Sequence, residues 1–431
     1  MDTLERATMH KVTRRFMPLL FICFVAAFLD RVNVGFAALT MNRDLGFSAS
    51  VFGLGAGLFF LTYFLFEIPS NLALERYGAR VWLARIMITW GIVAGATAFI
   101  TGPTSFYAVR MLLGAAEAGF GPGAMFFLTL WFPAAYRARA LAFFLVSMPV
   151  ASVIGAPVSG YLIGLHGLFG LKGWQLMFLI EAIPSVVLGC VIWRVFTDNP
   201  DQATWLGAQE KRWLIDTLAA ERSNRLVASH GNARVLVAPY LWALGLAFFG
   251  IVGLNYGMSF FLPQIVHAFH LSLQMTGVVS ALPFLAAAIA MPLWGRRSDV
   301  RKERAFHVLA PLAIAVIGLG GSTLAATATL KLLLITAACA GAFCSIVVFW
   351  ALVSDMVPAT AAAASMAMVN CVGNLSGFID PYVIGKIKDL TGTFDGGLQV
   401  LAVLGALSGL LLAAMLFGRR MSRGHAGPVT E

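Results

Sequence analysis

Apolar stretches of about 20 residues, the length a helix needs to cross ~30 Å of hydrocarbon, recur twelve times along this chain. They fall at 16–38, 51–74, 82–101, 104–132, 139–164, 174–196, 239–266, 273–294, 307–328, 331–354, 361–386 and 397–418. Barrel strands would be about half as long and would alternate polar with apolar residues, a pattern these stretches lack. Hydrophobic residues make up 59% of the chain and charged ones 12%, more apolar surface than a soluble core can hide. The expected fold class is an all-α membrane protein of twelve transmembrane helices in two six-helix bundles. The expected parse is an N-terminal half at 1–197, a linker at 198–238 and a C-terminal half at 239–431. Within the linker, Glu210–Arg222 reads as a short amphipathic helix lying along the membrane surface.

The net charge of +10 does not call for nucleic acid, because its placement is topological. With the N-terminus inside, 23 of the 30 Lys and Arg fall on cytoplasmic segments and five on outer ones. That bias sets both termini in the cytoplasm. The start, MDTLERATMHKVTRRF, is polar and basic and shows no cleavable signal. Cys23, Cys190, Cys339, Cys344 and Cys371 all lie in spans with no CxxC pair, so they read as small packing residues rather than disulfide or metal groups.

The two remaining basic residues lie inside spans with two acids: Asp30-Arg31 in the first, Arg110 and Glu117 in the fourth. Each such charge costs roughly 2.5–3.5 kcal/mol at a helix centre on insertion scales. At ~1.5 Å per residue, Asp30 lies ~12 Å from the outer end of its span, and Arg110 and Glu117 lie ~9 and ~20 Å from theirs. The pairs therefore occupy overlapping layers. Arg110 and Glu117, seven apart, share one helix face amid Gly114, Ala115, Ala116, Gly119, Gly121 and Gly123, whose small size leaves room for close packing or a cavity.

Arginine stays protonated and its planar fork suits a carboxylate, so Arg31 and Arg110 are the candidates for gripping an anion. Equally, each could simply neutralise Asp30 or Glu117. Asp30 and Glu117 are the candidate proton sites: an anion that takes over an arginine frees its acid partner to bind a proton. Tyr63 reads as a hydroxyl donor to substrate or as packing. Asn370 and Asn374, one turn apart, read as substrate hydrogen-bonders or as helix glue, and Asn255-Tyr256 likewise. Glu67 reads as a gate or a structural partner, Glu181 as structural, and Asp380, beside Pro381, as an extra titrating group or a cap for backbone freed by the proline. His166, His267 and His270 read as solvated span ends.

A repeat links the halves. After the second span comes Asn71-x3-Glu75-Arg76-x-Gly78-Ala79-Arg80, and after the eighth Gly295-x3-Asp299-Val300-x-Lys302-Glu303-Arg304. The acid and the closing arginine recur at an offset of 224 (75 to 299, 80 to 304). Glu75, Arg76, Arg80, Asp299 and Arg304 are therefore the candidate gating residues, able to pair across neighbouring helices and latch one conformation. Lys302 stands where a glycine would ease the turn.

These motifs, with the 6+6 parse, resemble the major facilitator superfamily. Asp30-Arg31-x-Asn33, Phe66-Glu67-Ile68-Pro69-Ser70-Asn71, Gly114-x2-Glu117-Ala118-Gly119-x2-Pro122-Gly123, Trp294-Gly295-x2-Ser298-Asp299-x3-Glu303-Arg304 and Asn370-x2-Gly373-Asn374-x2-Gly377 resemble its anion:cation symporter branch. That branch includes bacterial carriers for tartrate, phthalate, hydroxyphenylacetate and sugar acids, and animal sialic-acid carriers. The resemblance implies a secondary active transporter in a bacterial inner membrane, taking up a small organic anion with protons by alternating access. It implies no cofactor beyond the coupling proton, no nucleic-acid partner, and a monomer in the bilayer.

Other classes fit less well. A proton-coupled exporter of a metabolite or drug shares the fold, but paired arginines favour anionic cargo. A non-transporting sensor usually appends a signalling domain, whereas 13 residues follow Gly418. No GxxxxGK, HExxH or GxSxG motif points to an enzyme.

Overall fold

The structure is a computed structural model that describes residues 3–228, 238–357 and 362–425. Residues 229–237 of the expected linker and residue 361 of the eleventh span lie outside the described residues. Everything regular among the described residues is helical. Eleven helical stretches there are long and apolar enough to cross a membrane.

The twelfth is interrupted. The eleventh span is two helices, Ala362–Asn374 and Ser376–Thr391, parted at Leu375 between Gly373 and Gly377. The fourth span, expected as one helix, is also broken, into Pro103–Glu117 and Phe120–Trp131. Gly119 sits at φ 87°, and Pro122 has no N–H to return to the carbonyl of Ala118, so a regular helix cannot run through.

Chain contacts divide the protein into two compact units, Met1–Phe47 with Leu58–His230 and Leu271–Val278, and Ser48–Gly57 with Gly231–His270 and Val279–Glu431. The first unit contains α1 (Thr3–Leu45), most of α2 (Ala49–Tyr77), α3 (Ala79–Ala96), α4 (Pro103–Glu117), α5 (Phe120–Trp131), α6 (Ala134–Ile163), α7 (Gly173–Val195) and α8 (Ala208–Ala228). In it α1 packs on α6 and α7, and α3 on α7 and α4. Small residues permit these approaches: a Cβ at Gly189 of α7 would meet the Ala84 carbonyl of α3 at 3.0 Å.

The second unit contains α9 (Pro239–His267), most of α10 (Leu273–Arg301), α11 (Ala305–Ser322), α12 (Ala328–Met356), α13 (Ala362–Asn374), α14 (Ser376–Thr391) and α15 (Asp395–His425). Helix α9 is its hub, touching α12, α13, α14 and α15. The first turns of α2 belong here. Asp389 of α14 accepts the backbone N–H groups of Ala49 and Ser50 at 2.9 Å each, so its carboxylate caps the start of α2 from another helix. Nothing in the local sequence of either segment signals this cap.

The charged start of the chain is helical too, since α1 begins at Thr3, well before the expected span. The expected linker helix is α8. Its Glu210 lies 2.8 Å from Lys11 of α1 and accepts the Gly207 N–H at 2.9 Å, one arm of a capping box. Glu221 accepts the Ala134 N–H at the start of α6 and pairs with Arg137 at 3.1 Å. Of the cysteines, Cys190 is exposed on its helix rather than packed, and all five are free.

The repeated loops differ in detail. Gly78 has φ 85°, and Lys302, its counterpart, has φ 51°. Around Lys302 the N–H groups of Lys302 and Glu303 return to the carbonyls of Asp299 and Ser298, each at 3.3 Å, which is a Schellman end for α10. The first turn closes otherwise, with the Gly78 N–H returning to the Leu74 carbonyl at 3.0 Å and ψ at 152°. The two turns therefore differ, and the second holds a lysine at positive φ. Lys302→Gly should raise stability by up to about 1 kcal/mol, the relief of left-handed strain less the added freedom of the unfolded chain, read as a higher Tm of detergent-purified protein.

The hydrogen bond from Lys11 holds the Glu210 carboxyl below its ordinary range, helped by the Gly207 N–H against partial burial. Docking of α8 is therefore complete above the ordinary glutamate value and is lost as pH falls through the depressed one. Hydrogen exchange in α8 should rise on acidification. Glu210→Gln should show the faster exchange already at neutral pH and no longer respond to acid in that range.

Candidate functional site

Neighbouring residues on an α-helix point about 100° apart, and this separates Asp30 from Arg31. Arg31 turns toward α2 and α4, where its Nη2 donates to Oε1 of Glu117 in an ion pair. Its guanidinium lies 5.0 Å from the Phe28 ring centroid, 5.3 Å from that of Phe59 and 5.4 Å from that of Tyr63. Arg110 of α4 is buried and lies 4.9 Å from the same Phe59 ring. The two arginines thus share one aromatic wall, whose π-face offsets part of the cost of holding cations away from water. Glu67, half-buried on α2, lies within electrostatic reach of Arg31.

This layer depends on close approach of α2 and α4. A Cβ at Gly114 would lie 2.1 Å from the Phe59 carbonyl oxygen and 2.3 Å from the Thr62 hydroxyl. Thr62 donates across the contact to the Met111 carbonyl at 2.8 Å. The glycines expected to give packing or space give packing at this position. The break after Glu117 places its carboxylate at the negative end of α4, so an anionic Glu117 depends on Arg31. Its Oε2 is buried and has no hydrogen-bond partner.

Asp30 turns the other way, toward α3 and α7. Its Oδ2 accepts from Trp90 Nε1 at 2.7 Å and Ser185 Oγ at 2.9 Å, and its Oδ1 from Asn33 at 3.3 Å. The expected alternative, that an arginine neutralises each acid, describes Glu117; Asp30 is held by neutral donors instead. Glu181 of α7 accepts from Ser159 of α6 at 2.7 Å. Trp90, Ser185 and Ser159 escaped the sequence reading because one polar atom in an apolar span carries no periodic signal.

The second unit has its own polar groups. Tyr256 of α9 donates to Asn374 of α13 at 3.1 Å, and Asn370 lies one turn before Asn374 on the same helix. The Asn255 amide donates back to the Ile251 carbonyl of its own helix. Asp380 is buried beside α9, where a Cβ at Gly253 would meet its Oδ2 at 2.2 Å, and that oxygen accepts no hydrogen bond.

Among the candidate gating residues, Arg304 pairs with Asp299 at 2.6 Å and reaches Asp355 of α12 at 3.5 Å. Among the described residues, no ion pair engages Glu75, Arg76 or Arg80. In that loop Asp198, which follows α7, accepts the Arg80 backbone N–H at 2.7 Å and packs against Gly78. The acid at the first loop therefore comes from a distant segment, which adjacency in sequence could not disclose. His307 was also passed over: it is fully buried in α11, 5.1 Å from the Trp294 ring and 3.9 Å from the Glu303 carboxylate.

The chain belongs to the Major Facilitator Superfamily, whose pattern it matches over residues 20–381. It is similar to a crystal structure of a D-xylose–proton symporter, with TM-score 0.75 at 15% identity over 92% of this chain and 96% of that one, a likeness of fold. It is 46% identical to an Agrobacterium vitis protein named "Putative tartrate transporter", over 99% of this chain and 98% of the relative. It is also 36% identical to an Acinetobacter baumannii protein named "Quinolone resistance transporter", over 96% of each. The architecture is the twelve-helix one of the superfamily, in a multi-pass membrane protein.

Gly114→Leu should separate α2 from α4. We expect a loss of about 1–3 kcal/mol of stability from overpacking and no transport from the protein that still inserts, measured by thermal unfolding and vesicle uptake.

Proposed function

We propose that this protein takes up a small organic anion of the carboxylate or dicarboxylate class, driven by protons moving with it. The observation that carries the reading is the Arg31–Glu117 ion pair standing beside Arg110 on the Phe59 ring. A substrate carboxylate offers Arg31 the same kind of anionic partner that Glu117 offers. When substrate takes Arg31, Glu117 is left in a buried place without its cation, and binding a proton removes that charge. Release of substrate on the inner side lets the pair reform and expels the proton. Neither ligand moves alone, because an empty arginine or a bare carboxylate is costly there.

In this reading Arg31, Arg110, Tyr63, Asn370 and Asn374 are the substrate-binding residues, and Asp30 and Glu117 carry protons. The Arg304 pairs with Asp299 and Asp355 act as a gate, with Glu75, Arg76 and Arg80 as the first-half counterpart. The chain works as a monomer, two six-helix halves joined by the linker, with both termini in the cytoplasm. The relative named for tartrate transport supports the anion class.

The test is uptake of labelled tartrate into proteoliposomes under an imposed proton gradient. Accumulation driven by an inward gradient supports symport; accumulation driven only by an outward gradient would instead mark a proton antiporter that exports its substrate in the cell. Glu117→Gln should abolish uphill accumulation while exchange of internal for external substrate persists. Arg110→Lys should cut uptake by about tenfold or more, through loss of a charge-assisted hydrogen bond. Full uphill uptake by the Glu117 variant would refute the assignment.

A further inference from the structure

On the far side of α1 from the arginines, four helices of the first unit close around two acids. Asp30, Asn33, Ser159, Glu181 and Ser185 are all buried, and Trp90 is fully so. Asp30 has three donors, from Trp90, Ser185 and Asn33. That set suits a carboxylate in its acceptor-only, ionised form. Glu181 has the Ser159 hydroxyl on Oε1, while its Oε2 has no partner.

Asn33 stands between the two acids, donating to Asp30 and facing Glu181. Its own Oδ1 is buried and without a hydrogen bond. If both acids were ionised, Asn33 Oδ1 and Glu181 Oε2 would be two buried acceptors with nothing to accept, each a cost of about 1–3 kcal/mol. One proton on Glu181 Oε2 turns that oxygen into a donor, and Asn33, whose side chain faces Glu181, carries an acceptor in need of one.

Charge leads to the same count. The ionisable group facing Glu181 is Asp30 of α1, and Glu117 of α4, on the opposite face, lies within electrostatic reach of Asp30. Helices α3, α6 and α7 bring Trp90, Ser159 and Ser185 to the cluster, all neutral. The guanidinium next in sequence, Arg31, is turned to Glu117 on the opposite face. Two carboxylates in a buried cluster held by neutral donors repel one another, and a single proton removes the repulsion.

We infer that Asp30 and Glu181 share one proton through Asn33, making Glu181 a positioning residue that sets when Asp30 is free to take up or release a proton. In the other arrangement Glu181 has lost its proton to water and Asp30 has taken one up from water while the site is open. The Asn33 amide is then turned by half, its NH2 facing the ionised Glu181 and its carbonyl accepting from the protonated Asp30. The pair gains or loses its proton as a unit, with water as the other party when the site is open. The inference rests on the proton-coupled reading above and extends it to a third acid.

The test compares the full-length wild type with Asp30→Asn, Glu117→Gln and Glu181→Gln in lipid vesicles, by pH-difference infrared spectroscopy of the protonated carboxyl band and by the pH profile of tartrate uptake. A shared proton predicts that Asp30→Asn and Glu181→Gln each remove or shift the same band, whereas Glu117→Gln leaves it in place. Glu181→Gln, which supplies an amide donor in place of the acid, should move the uptake profile by about one pH unit or more. Two bands, each lost in only one variant, or an unchanged band and profile in Glu181→Gln, would overturn the inference. Should Glu181→Gln fail to fold, Ser159→Ala removes the hydroxyl on Glu181 and must shift the band for the inference to stand. If wild-type vesicles show no proton-driven uptake, the transport reading fails, while the infrared result still decides whether the proton is shared.

Discussion

The ion pair between Arg31 of α1 and Glu117 of α4 is the contact on which the first unit turns. Hydrocarbon does not solvate ions, so neither residue is tolerable there alone. Together they fix the rotation of α1, since Arg31 can reach α4 only if Asp30 faces α3 and α7. They also fix the approach of α2, whose Phe59 ring faces both guanidiniums. Gly114 lets that approach happen, and the break at Gly119 puts Glu117 at a helix end.

Around this pair the protein sorts its polar groups by helix face. Asp30 and Glu181 sit among neutral donors on one side of α1, and Arg31, Arg110 and Glu117 sit among aromatic rings on the other. Such sorting keeps the acids from all being neutralised by the nearest arginine. A site in which every charge were permanently matched would have no reason to admit either an anion or a proton. The repeated loops show a similar division: the second closes on Arg304, Asp299 and Asp355, while the first draws Asp198 against Gly78 and the Arg80 backbone.

Much of this was legible from the chain. The helical class, the membrane and the need of Asp30, Arg31, Arg110 and Glu117 for partners follow from the length of the apolar stretches and the cost of charge within them. The helix at Glu210–Arg222 followed from its amphipathic pattern, and α8 contains it. Other features were hidden for identifiable reasons. The breaks in the fourth and eleventh spans leave each stretch long enough to cross the membrane, so span length does not reveal them, and spanning helices tolerate glycine and proline without breaking. Asp389 caps α2, some 340 residues away in sequence, and a cap supplied by another helix leaves no local trace.

What sequence alone determined is which groups cannot be left in lipid: their identity, their depth, and therefore that they need partners. Which partner each one takes was decided by tertiary structure. Arg31 could have met either acid, and Glu181 read as a bystander until the fold set it opposite Asn33. The reason is geometric. A helix presents a new face every residue, and only the packing of its neighbours determines what each face meets.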